Sequence, residues 1–97
     1  MLLVFKWLEN RKRLLVVANS KRKAKHVLGH RKAIGDAIRL HRKEAGLTQE
    51  KLGELVGLNW KYLGEIERGE KIISIEALLR ISKAVKVPIK EFFADVE

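Results

Sequence analysis

A chain of 97 residues has room for one small domain and an appendage. It contains no cysteine, which excludes a disulfide framework and a thiolate metal site, and no apolar run approaches the roughly 20 residues that span a bilayer. The net charge of +9 sits wholly in residues 1–33, where ten Lys/Arg face Glu9 alone, while residues 34–97 hold eleven of each sign; such an arm on a neutral body favours a polyanionic partner, nucleic acid first.

The opening stretch "MLLVFKWLENRKR" is a poor secretory signal, because its charges follow the apolar residues and no small-residue cleavage site comes promptly after. With the absence of cysteine, this points to the cytoplasm. "LLVFKWL" and "RLLVVA", separated by "ENRK", fit a β-hairpin and fit a helix equally well. "KRKAKH" at 21–26 reads as a flexible basic segment, so the expected division is an extension over 1–32 and a folded body over 33–97.

From Ile34 onward the pattern is helical. Ile34, Ala37, Ile38, His41 and Ala45 recur on one face, and Gly46 stands where a left-handed cap ends that helix, with Leu47 next to it. Thr48 is an N-cap for a second helix, with Glu50 suiting the dipole and Leu52, Leu55 and Val56 as the expected inner face. Asn59 caps a third helix that runs to Arg68 and closes at Gly69. Ser74 caps a fourth, with Ile75, Leu78, Leu79, Ser82 and Val85 as its stripe. Pro88 opens a fifth short helix through Phe93. The expected class is all-α.

"TQEKLGELVGLNWKYLGEIERG", Thr48 to Gly69, is a short helix, a turn at Gly57 and a second short helix, the spacing of a helix-turn-helix. Gly53 is expected where the two helices cross closely, with Leu52, Leu58, Leu63 and Ile66 locking the pair to the body. On "GLTQ", "IERG" and "LLRISKAV" at their separations, residues 34–93 resemble the phage-repressor and Cro-like (XRE) helix-turn-helix family. The resemblance implies a five-helix, lambda-repressor-like domain that binds double-stranded operator DNA as a homodimer on two-fold sites. The chain departs from the family pattern at Gly53, where Ala is usual, at Lys86, where Gly is usual, and in its N-terminal extension.

On a helical wheel, Leu63 and Ile66 mark the buried side of the third helix, with Glu67 beside them, while Lys61, Gly64, Glu65 and Arg68 face outward. The resemblance sets Trp60, Lys61 and Glu65 at base-contacting positions. Lys61 suits guanine O6/N7, and Glu65 suits cytosine N4; a Lys61–Glu65 pair is the plainer alternative. Trp60 suits a thymine methyl or packing on the body. Gly64 joins the base-contact group because a bulk-free centre brings the helix backbone deep into the groove. Asn59, Arg68 and Lys71 are candidate phosphate contacts, and Gln49 resembles the family's phosphate-clamping Gln. The resemblance also implies a structural ion pair between Arg42 and Glu67.

Ile89, Phe92 and Phe93 are candidate dimer contacts. The leading functional reading is a sequence-specific transcription regulator. The alternative is an antitoxin or adaptor whose residues 1–32 bind a protein partner, with DNA binding serving autoregulation. No nucleophile–base constellation, phosphate loop or metal spacing is present, so neither enzymatic activity nor a cofactor is expected, and His41 is expected on an inner helix face.

Overall fold

The computed structural model describes residues 21–96, so the hairpin-or-helix alternative for the first 20 residues lies outside the described part. Four α-helices follow in order: α1 Lys21–Glu44, α2 Gln49–Val56, α3 Trp60–Glu67 and α4 Ile75–Val85. The expected fifth helix is a 3-10 turn, Ile89–Phe93, preceded by Pro88. Among the described residues there is no strand, in keeping with the all-α reading.

The first helix is the main departure from the sequence reading. Residues 21–26, expected as a flexible joint, are its opening turns, and the expected 32/33 boundary falls inside it. The reason is local: from Lys21 to Glu44 there is no Pro, and Lys, Arg, Ala and Leu are good helix formers. A run of like charges lowers hydropathy without breaking the helical backbone.

The caps follow the sequence. Thr48 Oγ1 accepts the Lys51 N–H at 3.0 Å and Ser74 Oγ accepts that of Ala77 at 3.1 Å, each satisfying a donor the helix cannot. Gly46 closes α1 with φ +73°, and the Leu47 N–H reaches the Arg42 carbonyl at 3.1 Å. Lys86 takes the corresponding role after α4 at φ 59°, so the joint keeps the left-handed turn although the side chain there is not glycine.

Every element contributes to one core. Ile38, Leu52, Leu63, Ile66, Leu78, Ile81 and Phe92 are all less than 2% exposed, and full burial of such side chains contributes on the order of 1.5–3 kcal/mol each. Several inner-face expectations are overturned. Leu55 and Ile75 are 56% and 61% exposed, and Leu79 is 42% exposed. In α4 the buried edge is Ala77, Leu78, Ile81 and Val85. Apolar residues occupy too much of this helix for periodicity to choose between two neighbouring stripes, and the choice falls to the packing of α2 and α1 against it.

Phe92, a candidate dimer contact, faces the chain's own core: it is 1% exposed, with its ring edge-on to His41 at 5.2 Å between centroids. Ile89 and Phe93 are half-buried against the same core. The 3-10 turn folds back on α1 and α4, which buries Phe92 and part of Ile89 and Phe93. His41 is half-buried there, with Nδ1 3.2 Å from Glu44.

Gly35, which the sequence reading passed over, is where α1 meets α3. A Cβ built there would lie 2.3 Å from the Ile66 carbonyl oxygen and 2.8 Å from that of Glu67. Gly69, at φ +77°, brings the end of α3 against Lys32, with its Cβ position 3.0 Å from the Lys32 Cα. Backbone thus packs on backbone along this seam.

Gly35→Ala should therefore lower stability by about 1–3 kcal/mol, reducing the thermal midpoint by several degrees. Gly29→Ala, where nothing lies within 4 Å of the added Cβ, should raise stability by about 0.5–1 kcal/mol as an ordinary helix-interior replacement. Circular-dichroism melts of the two variants check both; a stabilised Gly35→Ala would overturn the seam. Lys86→Gly should stabilise by up to about 1 kcal/mol, since relief of left-handed strain exceeds the added chain entropy; a lower melting midpoint would contradict this.

Candidate nucleic-acid interface

The helix-turn-helix is built around two close approaches. Gly57 turns the chain at φ +72°, and the Leu58 N–H returns to the Gly53 carbonyl at 2.9 Å. Gly53 is buried because a Cβ there would meet the Leu58 carbonyl oxygen at 2.5 Å. The tightest approach is of α2 to the turn, and the Trp60 nitrogen that opens α3 lies 3.5 Å from the same position, in keeping with the close crossing expected at Gly53.

Arg42 and Glu67 meet in a buried, two-pronged pair. Arg42 Nε donates to Glu67 Oε2 at 2.7 Å and Nη2 to Oε1 at 3.0 Å, while Nη1 reaches the Leu47 carbonyl at 2.8 Å. The two residues are 7% and 3% exposed. Gln49 Nε2 adds a third donor to the carboxylate at 3.1 Å. The carboxylate therefore ties α1 and the start of α2 to the end of α3, and Arg42 extends the network to the α1–α2 loop. The planar guanidinium matches a carboxylate edge in a way lysine cannot.

The outer face of α3 lines an open groove. Gln49 closes one side, Trp60, Lys61, Gly64 and Glu65 form its length, and Arg68 with Glu70 closes the far end. Trp60 is 45% exposed, and Lys61 Nζ stands 5.8 Å from its ring centroid. Lys61 thus lies over an aromatic face, a contact worth about 0.5–1 kcal/mol when exposed. Glu65 is half-buried. Gly64 is buried, covered by its neighbours: its Cβ position is 3.2 Å from Arg68 Nη1 and 3.4 Å from Gln49 Oε1.

The expected phosphate contacts have prior engagements within the fold. Asn59 Oδ1 caps α3 by accepting the Lys61 N–H at 2.8 Å, which leaves its amide group as the donor for any partner. Gln49 is held inward by Glu67. Arg68 Nε is engaged by the Glu70 carboxylate. Lys71 is exposed in the loop after α3. Tyr62 is half-buried and donates to the Ile72 carbonyl at 3.2 Å, steadying that loop. Glu70 is not among the residues the sequence offers as candidates; the one signal for it is its position two residues beyond Arg68, across the Gly69 turn. The proposed partner site of the adaptor reading lies largely in residues 1–20, outside the described part. Among the described residues no helix is long and apolar enough to cross a membrane.

Glu67→Ala leaves Arg42 buried without its carboxylate, a change that costs about 3–5 kcal/mol, and it also releases Gln49. Both the melting midpoint and DNA affinity should fall. The Arg42→Met/Glu67→Leu double variant should recover most of the stability but not the affinity, since Gln49 still lacks its anchor. Native stability together with native affinity in Glu67→Ala would refute the role of the pair.

Comparison with known proteins agrees with this architecture. The helix-turn-helix family HTH_3 matches residues 38–92. An HTH-type transcriptional regulator of Sinorhizobium medicae is 37% identical over 62 residues, covering 64% of this chain and 45% of the relative. A transcriptional regulator in the ATPase CF(0) region of Rhodospirillum rubrum is 38% identical over 72 residues, covering 74% and 64%. The chain thus spans only part of the length of these relatives. Among solved structures, the restriction-modification controller protein C.AhdI of Aeromonas hydrophila aligns with a TM-score of 0.62 at 33% identity, over 65% of this chain and 96% of that one. The clp gene regulator ClgR of Corynebacterium glutamicum gives 0.64 at 33% identity, over 66% and 68%. With its helix-turn-helix, its buried Arg42–Glu67 pair and these relatives, the chain belongs to the HTH_3 helix-turn-helix family of XRE-type transcriptional regulators.

Proposed function

We propose that the protein is a sequence-specific DNA-binding regulator that sets α3 in the major groove and acts as a homodimer on a two-fold operator. The observation that carries this reading is the open groove along α3, with the start of α2 fixed beside it through Gln49 and Glu67. An α-helix with its partner helix fixed at its flank fits the width of the major groove of B-DNA. Trp60, Lys61 and Glu65 then meet base edges, while the amide of Asn59, the start of α2 at Gln49, and Lys71 meet phosphates. The relatives described as transcriptional regulators support the same reading.

Attraction to DNA comes mainly from elsewhere in the chain. The outer face of α3 carries Lys61 and Arg68 against Glu65 and Glu70 and is close to neutral. The excess charge lies before residue 34, and α1 carries part of it up to Lys32, against the Gly69 turn that ends α3. Base discrimination and long-range attraction are thus assigned to different parts of the chain, the second through counterion release.

Selecting bound sequences from a random duplex pool tests the proposal. Enrichment of a palindrome with half-sites one helical turn, about 34 Å, apart is expected, with a dimer-sized complex in sedimentation. Retention of DNA without any enriched sequence would reduce the protein to a non-specific binder.

A further inference from the structure

Arg68 occupies a position at which the family resemblance expects a phosphate contact. We propose instead that Arg68 reads a guanine, oriented by Glu70 and admitted to the reading groove by Gly64. The inference rests on the reading that α3 enters the major groove.

Three observations converge. Arg68 caps the C-terminal end of α3, yet its side chain bends back along the helix by a full turn. Its Nη1 comes within 3.2 Å of the place a Cβ would take at Gly64. The guanidinium therefore overlies the middle of the reading face, beside the Gln49 amide that Glu67 holds. Second, the Glu70 carboxylate takes the Nε–H. A guanidinium has five donors in one plane; with Nε occupied, the Nη groups remain to address a partner. Third, the Arg68 and Glu70 side chains are 61% and 53% exposed, so an incoming base edge can reach them.

The chemistry favours a base over a phosphate. Phosphate binding by arginine is driven largely by charge, and an adjacent carboxylate opposes it. Recognition of guanine through O6 and N7 depends on paired donors held in one orientation, which the carboxylate supplies. Glu70 thus trades non-specific attraction for direction, and it acts as a positioning residue.

Gly64 completes the arrangement. A larger side chain there would occupy the slot in which the Nη groups lie. This also explains a glycine in a helix interior, which is less favourable than Ala by roughly 1 kcal/mol.

The test uses the full chain and the operator enriched from the random pool; failure to enrich any sequence would sink the DNA-reading function itself, separately from the role of Arg68. With an operator in hand, gel-shift affinities are measured for duplexes altered at each guanine in turn. The native protein should lose about 5–150-fold at one guanine per half-site. Arg68→Lys keeps the charge and should lose less than about twofold on altering that guanine, with its binding to non-operator DNA unchanged. Gly64→Leu should flatten the same position, and Glu70→Gln should flatten it while tightening non-operator binding. Melting curves establish that each variant is folded; because Arg68 and Glu70 are exposed, their variants should melt as the native protein does. A phosphate role gives the opposite pattern. Arg68→Lys would then keep every base preference, and Arg68→Ala would weaken operator and non-operator DNA alike, lowering the salt slope by about one per protomer. That result overturns the proposal.

Discussion

The Glu67 carboxylate is the point on which the domain turns. It is 3% exposed and receives donors from Arg42 on α1 and Gln49 on α2 while itself belonging to α3. Removing two charges from water costs several kcal/mol, recovered only where the geometry is good and the remaining lone pairs are occupied. Both conditions hold here, with Arg42 also satisfying the Leu47 carbonyl that leads into α2. The pair fixes the relative placement of three helices more than it deepens the energy minimum. In a helix-turn-helix that placement is the function, because reading bases requires α2 and α3 to meet DNA in one register.

The glycines serve the same end by sterics. At Gly35 and Gly53 a carbonyl oxygen occupies the space a Cβ would need, which allows α1 to touch α3 and α2 to touch its own turn. Both approaches are backbone to backbone, so neither can relax by a side-chain rotation. Gly64 differs, for the atoms above it are the ends of two flexible side chains, Gln49 and Arg68. A glycine that backbone demands is architectural. One that only side chains demand bears on what those side chains do, and here they lie in the groove along α3.

Charge is divided along the same lines. On the proposed function the neutral body discriminates and the basic N-terminal third attracts, and α1, Lys21–Glu44, carries part of that charge into the body. Within the groove each cation has a nearby counterweight: Lys61 lies over Trp60, and Arg68 meets Glu70. Such contacts between exposed groups add little stability, but they restrict where the cations point.

Much of this was legible from residue types in order. Thr48, Asn59 and Ser74 as caps, Gly46 and Gly57 as left-handed turns, and the motif from Thr48 to Gly69 follow from local chemistry, which acts over a few residues. Helical spacing alone set Lys61 and Arg68 outward, where they are exposed, but it did not show that Gly64 on the same stripe lies buried under Arg68 and Gln49, or that Glu65 is half-buried. What the chain order could not decide was which apolar residues face inward where several candidates compete. Leu55, Ile75 and Leu79 lie outside while Ala77 and Ile81 lie within, because the neighbouring helices set the buried arc. Phe92 faced the core for the same reason, since a short 3-10 turn folds back on α1. The continuity of α1 through "KRKAKH" was hidden because charge pattern reports solvation and says little of backbone conformation. The close approaches at Gly35 and Gly53, and the tether of Arg68 to Glu70, join atoms whose meeting depends on how helices cross or how a turn folds. Those were settled by tertiary structure, because only packing converts a list of small and charged residues into distances.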